Sequence, residues 1–287
     1  MLLDGKALAV EIQEELAAQV GALNGRPPCL AVILVGENPA SKIYISSKIN
    51  ACQKVGIHSI FEKLPSNITE KELLFKIESF NHDPKVDGIL VQLPLPDQIS
   101  QEKVIQTINP NKDVDGFHPS NFGKIFTGDP SGFVPCTPAG IRELLLRSNV
   151  ETEGKEAVIV GRSHIVGKPM AGLLMQNGPG GNATVTLVHS KTKDLSSHTR
   201  RADILICALG KPHFIKEDMV KEGATVVDVG INRIIDKSHP KGYRIVGDVD
   251  FARVKDKCFA ITPVPGGVGP MTIAMLLKNT IKSRLQS

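Results

Sequence analysis

The chain has 287 residues, room for about two domains of ordinary size, and its 41% hydrophobic and 22% charged residues are the balance of a folded, water-facing protein. A formal net charge of +4, with no Lys/Arg run and no aromatic-interleaved basic stripe, argues against a nucleic-acid partner. Five scattered cysteines (Cys29, Cys52, Cys136, Cys207, Cys258) with no paired spacing argue against a disulfide framework and against a zinc site, so no metal ligand is assigned.

The opening MLLDGKALAVEIQEEL carries Asp4 and early glutamates where a signal peptide has a basic start and an apolar core. No 18-residue apolar window suggests a membrane span. A cytoplasmic protein with reduced thiols is the expectation. Leu8, Ile12, Leu16 and Val20 predict a helix over 4–23. The unbroken apolar run CLAVILVG (29–36) predicts a strand buried on both faces. A helix follows over 38–57, then a strand (57–64), and a helix (69–81) with Thr69 as its cap. DGILVQLPLP (87–96) is a strand stopped by prolines, and 100–110 a helix closed by Pro110. Prolines, glycines and asparagines crowd 109–138 and periodicity vanishes, which marks a linker or a functional loop.

Beyond it, 139–149 reads as a helix. EAVIV (156–160) is a strand followed by a turn and a helix from Lys168. Further buried strands are read in 183–189, 202–210, 223–231 and 258–267, and 269–287 is an amphipathic helix. The alternation predicts an α/β protein with parallel sheets. We expect two α/β lobes with a cleft between them, the second a Rossmann-type dinucleotide-binding domain.

Gly161-Arg162-Ser163-His164-Ile165-Val166-Gly167 follows a strand and opens a helix, the context in which backbone N–H groups meet a pyrophosphate. It is not the GxGxxG pattern: Ser163 takes the second glycine's place and the last glycine comes one residue late. An NAD domain commonly has an acid at the end of the next strand to hold the ribose 2′-hydroxyl. Here His189, Ser190, Lys191, Thr192 and Lys193 stand there. With Arg162, that positive charge favours a 2′-phosphate, hence NADP. Candidate cofactor residues are Gly161, Arg162, Ser163, Gly167, Ser190, Gly230 and Ile231.

Tyr44 and Lys48 are four apart on the predicted 38–57 helix and share a face. Spacing alone leaves Lys48 an ordinary surface lysine. Gln92 ends a buried strand, where ligands bind in open α/β sheets. In Asp113-Val114-Asp115 either acid could bind a ligand or cap a turn. Cys136, between two prolines, reads as a packed thiol with no base partner. His118 and His164 lack ligand spacing.

Seven segments together carry a resemblance: YISSK (44–48), DGILVQLPLP (87–96), DVDGFHPSNFG (113–123), PCTP (135–138), GRSHIVGKP (161–169), HSKT (189–192) and PGGVGPMT (265–272). With them in this order, the chain resembles the bifunctional methylenetetrahydrofolate dehydrogenase/cyclohydrolases of the bacterial FolD type, nearly end to end. The resemblance implies NADP-dependent oxidation of 5,10-methylenetetrahydrofolate to the 5,10-methenyl form, then hydrolysis to 10-formyltetrahydrofolate. It implies a folate in the cleft between the lobes and a homodimer. Lys48 is then the proton-handling group, Tyr44 lies against the aminobenzoyl ring, Gln92 holds the lysine and Asp115 anchors the pterin. Gly266 and Gly267 join the substrate side, and the GxSxxxG turn is a family trait. The lobes implied are a folate lobe over 1–138, completed by a final helix over 271–287, and an NADP lobe over 139–270. A lysine in this role must shed its proton near neutral pH, although a free lysine titrates near ~10.4. A cationic substrate beside it favours the neutral amine, and a neutral partner such as Gln92 leaves that shift intact.

Overall fold

A computed structural model describes residues 1–240 and 242–286. The chain divides into two compact units, one of Val10–Cys136 with Ile273–Ser287, the other of Met1–Ala9 with Thr137–Thr272.

The first unit contains most of α1 (Gly5–Gly21), then β1 (Cys29–Val35), α2 (Pro39–Val55), β2 (His58–Leu64), α3 (Glu70–His82), β3 (Gly88–Val91), α4 (Gln101–Thr107) and α5 (Pro119–Thr127). Its parallel sheet has the order β2-β1-β3. All seven residues of β1 are buried, which is why its sequence is apolar without alternation. The edge strand β2 carries His58, Phe61 and Lys63 outward. Arg26 grips Asp87 with two nitrogens at 2.7 and 2.8 Å, and the same carboxylate accepts from Cys29 N at 2.7 Å, fixing the entry to β1. Thr69 caps α3 as expected: its hydroxyl accepts from Glu72 N and Glu72 accepts from Thr69 N. Leu73, Ile77 and Phe80 then point α3 into a core with Ala31, Ile33 and Ile89. Each such side chain contributes about 2 kcal/mol of burial.

The segment read as structureless contains α5. Pro119 opens it, His118 Nδ1 accepts from Ser120 N at 3.1 Å, and Gly128 ends it at φ 70°. Pro at the start and Gly past the end are boundary signals of a short helix, and they hid it among loop-like residues.

The second unit contains α6 (Cys136–Arg147), β4 (Glu156–Val160), α7 (Gly167–Leu174), β5 (Thr184–Val188), α8 (Leu195–Thr199), β6 (Ile204–Cys207), a 3-10 turn at Glu217–Met219, β7 (Thr225–Asp228), β8 (Asn232–Ile235), β9 (Tyr243–Val246), α9 (Phe251–Val254), β10 (Ala260–Ile261) and the start of α10 (Val268–Gln286). Ser287, expected to end that helix, lies outside the described residues. Five parallel strands run β10-β7-β6-β4-β5. Numbered within the unit, that order is 2-1-3-4-5, a doubly wound sheet whose direction of winding reverses between β4 and β6.

Two expectations change here. The run 223–231 is strand only to Asp228, and β8 and β9 form a separate antiparallel hairpin. The first nine residues group with the five-stranded unit and not with the folate lobe of the resemblance. The reason is main-chain pairing: Leu3 N donates to Ile261 O (2.9 Å), Ile261 N to Met1 O (3.1 Å) and Lys6 N to Gly266 O (2.8 Å). No helix among the described residues is long and apolar enough to cross a membrane.

Candidate active site

In the three-stranded unit, α2 turns Ile45 and Lys48 inward while Tyr44 is 37% exposed. Lys48 is 9% exposed, unusual for a lysine, and its Nζ donates to Gln92 Oε1 at 3.0 Å. Gln92 stands just past β3, its own N–H held by Ile33 O at 2.9 Å and its side-chain amide donating to Leu93 O at 2.8 Å. The amide's orientation is therefore fixed, with its oxygen turned to the lysine. Burial raises the Tyr44 hydroxyl above its ordinary range.

The two aspartates separate. Asp113 is buried and accepts from Phe117 N (3.2 Å), His118 N (2.8 Å) and Asn121 Nδ2 (2.9 Å). Its carboxylate organises the turn into α5. Asp115 instead meets the Cys136 thiol, with Sγ 3.8 Å from Oδ1. Burial raises the Asp115 carboxyl above its usual range, and the charge of Lys48 pulls the other way. Ile89, Val91, Leu93 and Phe117 line a depression with the two aspartates, an apolar wall that accounts for the desolvation. Cys136 is buried, donates to Val114 O at 3.3 Å, and burial pushes its thiol well up; that is the inert thiol expected from sequence.

In the five-stranded unit, the glycine turn leaves β4 at the point where winding reverses. Gly161 lies at φ 129°, and a Cβ there would strike Ala208 O beyond β6. A side chain on Gly167 would strike Gly161 O. Ser163, which replaced the second glycine of the general pattern, turns its hydroxyl to accept from Val166 N at 3.0 Å, and so shapes the entry to α7. Arg162, Ser163, Ser190, Lys191 and Lys193 are exposed. Close backbone, exposed cations and the absence of an acid at 189–193 fit a phosphorylated ribose. Gly230 follows β7; a Cβ there would strike Asp248 Oδ1. Ile231 is 50% exposed.

Gly266 and Gly267 belong to the five-stranded unit, whereas Tyr44, Gln92 and Asp115 belong to the other. Gly266 sits at φ 112°, and a side chain on Gly267 would meet Pro263 O and Thr262 Cβ at 2.7 Å. The positive φ favours glycine at 266, and close packing against its own segment requires it at 267.

Sequence reasoning missed the buried pair Asp228 and Asp248. The signal was available: in VVDVG and VGDVD an acid stands at the end of an apolar run, where a strand exit needs an acceptor. Asn279 was also missed. It is buried on α10 and donates to Val114 O (2.8 Å) and Val134 O (3.1 Å), tying the segment that carries Asp115.

Comparison with known proteins identifies the family of both units. The family model for the tetrahydrofolate dehydrogenase/cyclohydrolase catalytic domain matches residues 3–115, and that for the NAD(P)-binding domain of the same family matches 135–287. A relative from Protochlamydia amoebophila named bifunctional protein FolD is 57% identical, over 100% of this chain and 98% of its own length. The crystal structure of bifunctional FolD, a methylenetetrahydrofolate dehydrogenase/cyclohydrolase from Campylobacter jejuni, superposes with a TM-score of 0.94 at 54% identity, covering 100% of this chain and 99% of that one. The Trypanosoma brucei methylenetetrahydrofolate dehydrogenase-cyclohydrolase, solved with NADP and an inhibitor, superposes at 0.94 with 38% identity, covering 100% and 97%. The chain belongs to the tetrahydrofolate dehydrogenase/cyclohydrolase family.

Proposed function

We propose that this protein oxidises 5,10-methylenetetrahydrofolate with NADP and hydrolyses the resulting methenyl cation to 10-formyltetrahydrofolate. Family membership over both units supports the two activities. NADP, when bound, supplies the hydride acceptor. The turn Gly161–Gly167 with Arg162, Ser163, Ser190, Gly230 and Ile231 would hold it, and Arg162 and Ser190 would meet the 2′-phosphate. Tyr44 offers a flat face to the aminobenzoyl ring, and Asp115 accepts from the N–H edge of the pterin.

One observation carries the hydrolytic half: the buried Lys48 amine bound to the neutral Gln92 amide at 3.0 Å. As water adds to the bridging carbon, its oxygen forms the new bond, the C=N π pair returns to nitrogen and one proton leaves to Lys48 Nζ; the bond from that carbon to N5 then breaks as the hydroxyl becomes the formyl carbonyl, and N5 takes up a proton. Gln92 fixes the direction of that nitrogen without adding a charge. A carboxylate in its place would bind the ammonium form tightly and hold the proton there. Lys48→Met keeps the length and apolar stem but no base. We expect decay of methenyltetrahydrofolate in its presence to fall by about 100-fold or more, within the usual contribution of general acid–base groups, while NADP binding persists. Hydrolysis at the wild-type rate overturns the role.

A cytoplasmic homodimer belongs to the same reading. Ile235, 87% exposed on the β8–β9 hairpin, is an apolar surface for a second copy to cover. Sedimentation that returns a monomer mass at micromolar concentration contradicts it.

A further inference from the structure

The five-stranded unit contains two fully buried carboxylates that no step above uses. Asp228 ends β7, and Asp248 lies in the segment after β9; they are 2% and 0% exposed. They act in tandem. Asp228 Oδ1 accepts from Gly230 N (3.0 Å) and Asp248 N (2.9 Å), Oδ2 accepts from Val249 N (2.9 Å), and the Asp228 N–H donates to Thr262 Oγ1 (2.7 Å). A Cβ on Gly247 would strike Asp228 Oδ2. Asp228 thus sets the backbone that presents Asp248.

Asp248 then collects four donors. Its Oδ2 accepts from Leu209 N (2.6 Å) and Gly210 N (3.0 Å), and its Oδ1 from Lys211 N (2.8 Å) and Asn232 Nδ2 (2.8 Å). Leu209–Lys211 leaves the carboxyl end of β6 and Gly230–Asn232 leaves that of β7. Ligands of doubly wound sheets bind outside those ends. Gly161 of the glycine turn abuts the β6 exit at Ala208 O. One side chain therefore ties together the exits of two neighbouring strands.

We infer that Asp248 is a positioning residue for the dinucleotide: it touches no ligand, and its carboxylate fixes the β6 and β7 exit loops, Gly230 and Ile231 among them, in the shape that receives the cofactor. A carboxylate suits this because it offers about four acceptor sites, whereas an amide offers half as many and turns two N–H donors toward backbone N–H groups. Asp248→Asn keeps the size and loses two of the four partners.

The test uses the full enzyme. Asp248→Asn is assayed for methylenetetrahydrofolate oxidation across NADP concentrations, and separately for methenyltetrahydrofolate hydrolysis without nucleotide. We expect KM for NADP to rise about 10- to 100-fold, the scale of a misplaced binding group, with kcat at saturating NADP changed far less and hydrolysis near wild type. An unchanged KM for NADP overturns the inference. So does an equal fall in both activities, which marks a purely structural role. If Asp248→Asn yields no folded protein, Asn232→Ala removes one donor only. A rise in its KM for NADP supports the inference and an unchanged KM overturns it. The inference rests on the five-stranded unit being the dinucleotide unit. Wild-type enzyme that does not use NADP defeats that reading, whereas an unaltered KM in the variants of an NADP-using enzyme defeats the inference alone.

Discussion

Asp113 and Asp115 lie two residues apart and serve different ends. Sequence could not separate them, because an Asp in a Pro/Gly-rich stretch caps turns or binds ligands with equal ease. The distinction lies in donors brought from elsewhere: His118 N and Asn121 Nδ2 saturate Asp113, while Asp115 faces a thiol and the field of Lys48. The two asparagine variants should therefore fail differently. Asp115→Asn should raise KM for methylenetetrahydrofolate by about 10- to 100-fold, the worth of a charge-assisted hydrogen bond pair, with little change in thermal unfolding. Asp113→Asn should cost on the order of 1–3 kcal/mol in stability with a smaller change in KM. Steady-state kinetics beside thermal melts decides, and the reverse pattern contradicts the assignment. Lys48 was legible only in part. The i, i+4 step from Tyr44 placed the pair on one face, but the partner Gln92 is 44 residues away, and no local pattern announces such a contact.

At the scale of elements, runs of one kind read well. β1 and β6 are short unbroken apolar segments, β4 and β7 have apolar centres with polar residues only at their ends, and Thr69 with Glu72 announces the start of α3. The β8–β9 hairpin did not read, since its half-buried pattern is short and its strands are joined by a polar stretch. The contacts at the end of β7 are equally non-local: Asp228 accepts from Asp248 N and Val249 N, 20 and 21 residues on. Burial pushes this carboxyl up to about 6, against three backbone N–H groups that favour its charge. An unfolded Asp titrates near ~3.9. The folded value is the higher one, so its contribution to stability is full below about pH 4 and is lost as pH rises through about 6. Compared with Asp228→Asn, wild type should gain about 1 kcal/mol of relative stability on going from pH 7.5 to pH 5. Urea unfolding of both proteins at the two pH values measures it, and a relative stability that stays level or falls contradicts it.

For the whole molecule, alternating helix and strand was enough to expect an α/β chain of two units, and the cations at 189–193 with Arg162, where no acid stands, pointed to NADP. The grouping of Met1–Ala9 with the five-stranded unit was not legible, because it depends on main-chain bonds to Ile261 and Gly266 across more than 250 residues of sequence. One chain performs both steps. The direct measurement is on the unmutated protein: NADPH formation with 5,10-methylenetetrahydrofolate, then decay of added 5,10-methenyltetrahydrofolate. Both should be seen, with NADP serving in the first and the second proceeding without a metal added. NADP binding with turnover in neither assay would contradict it.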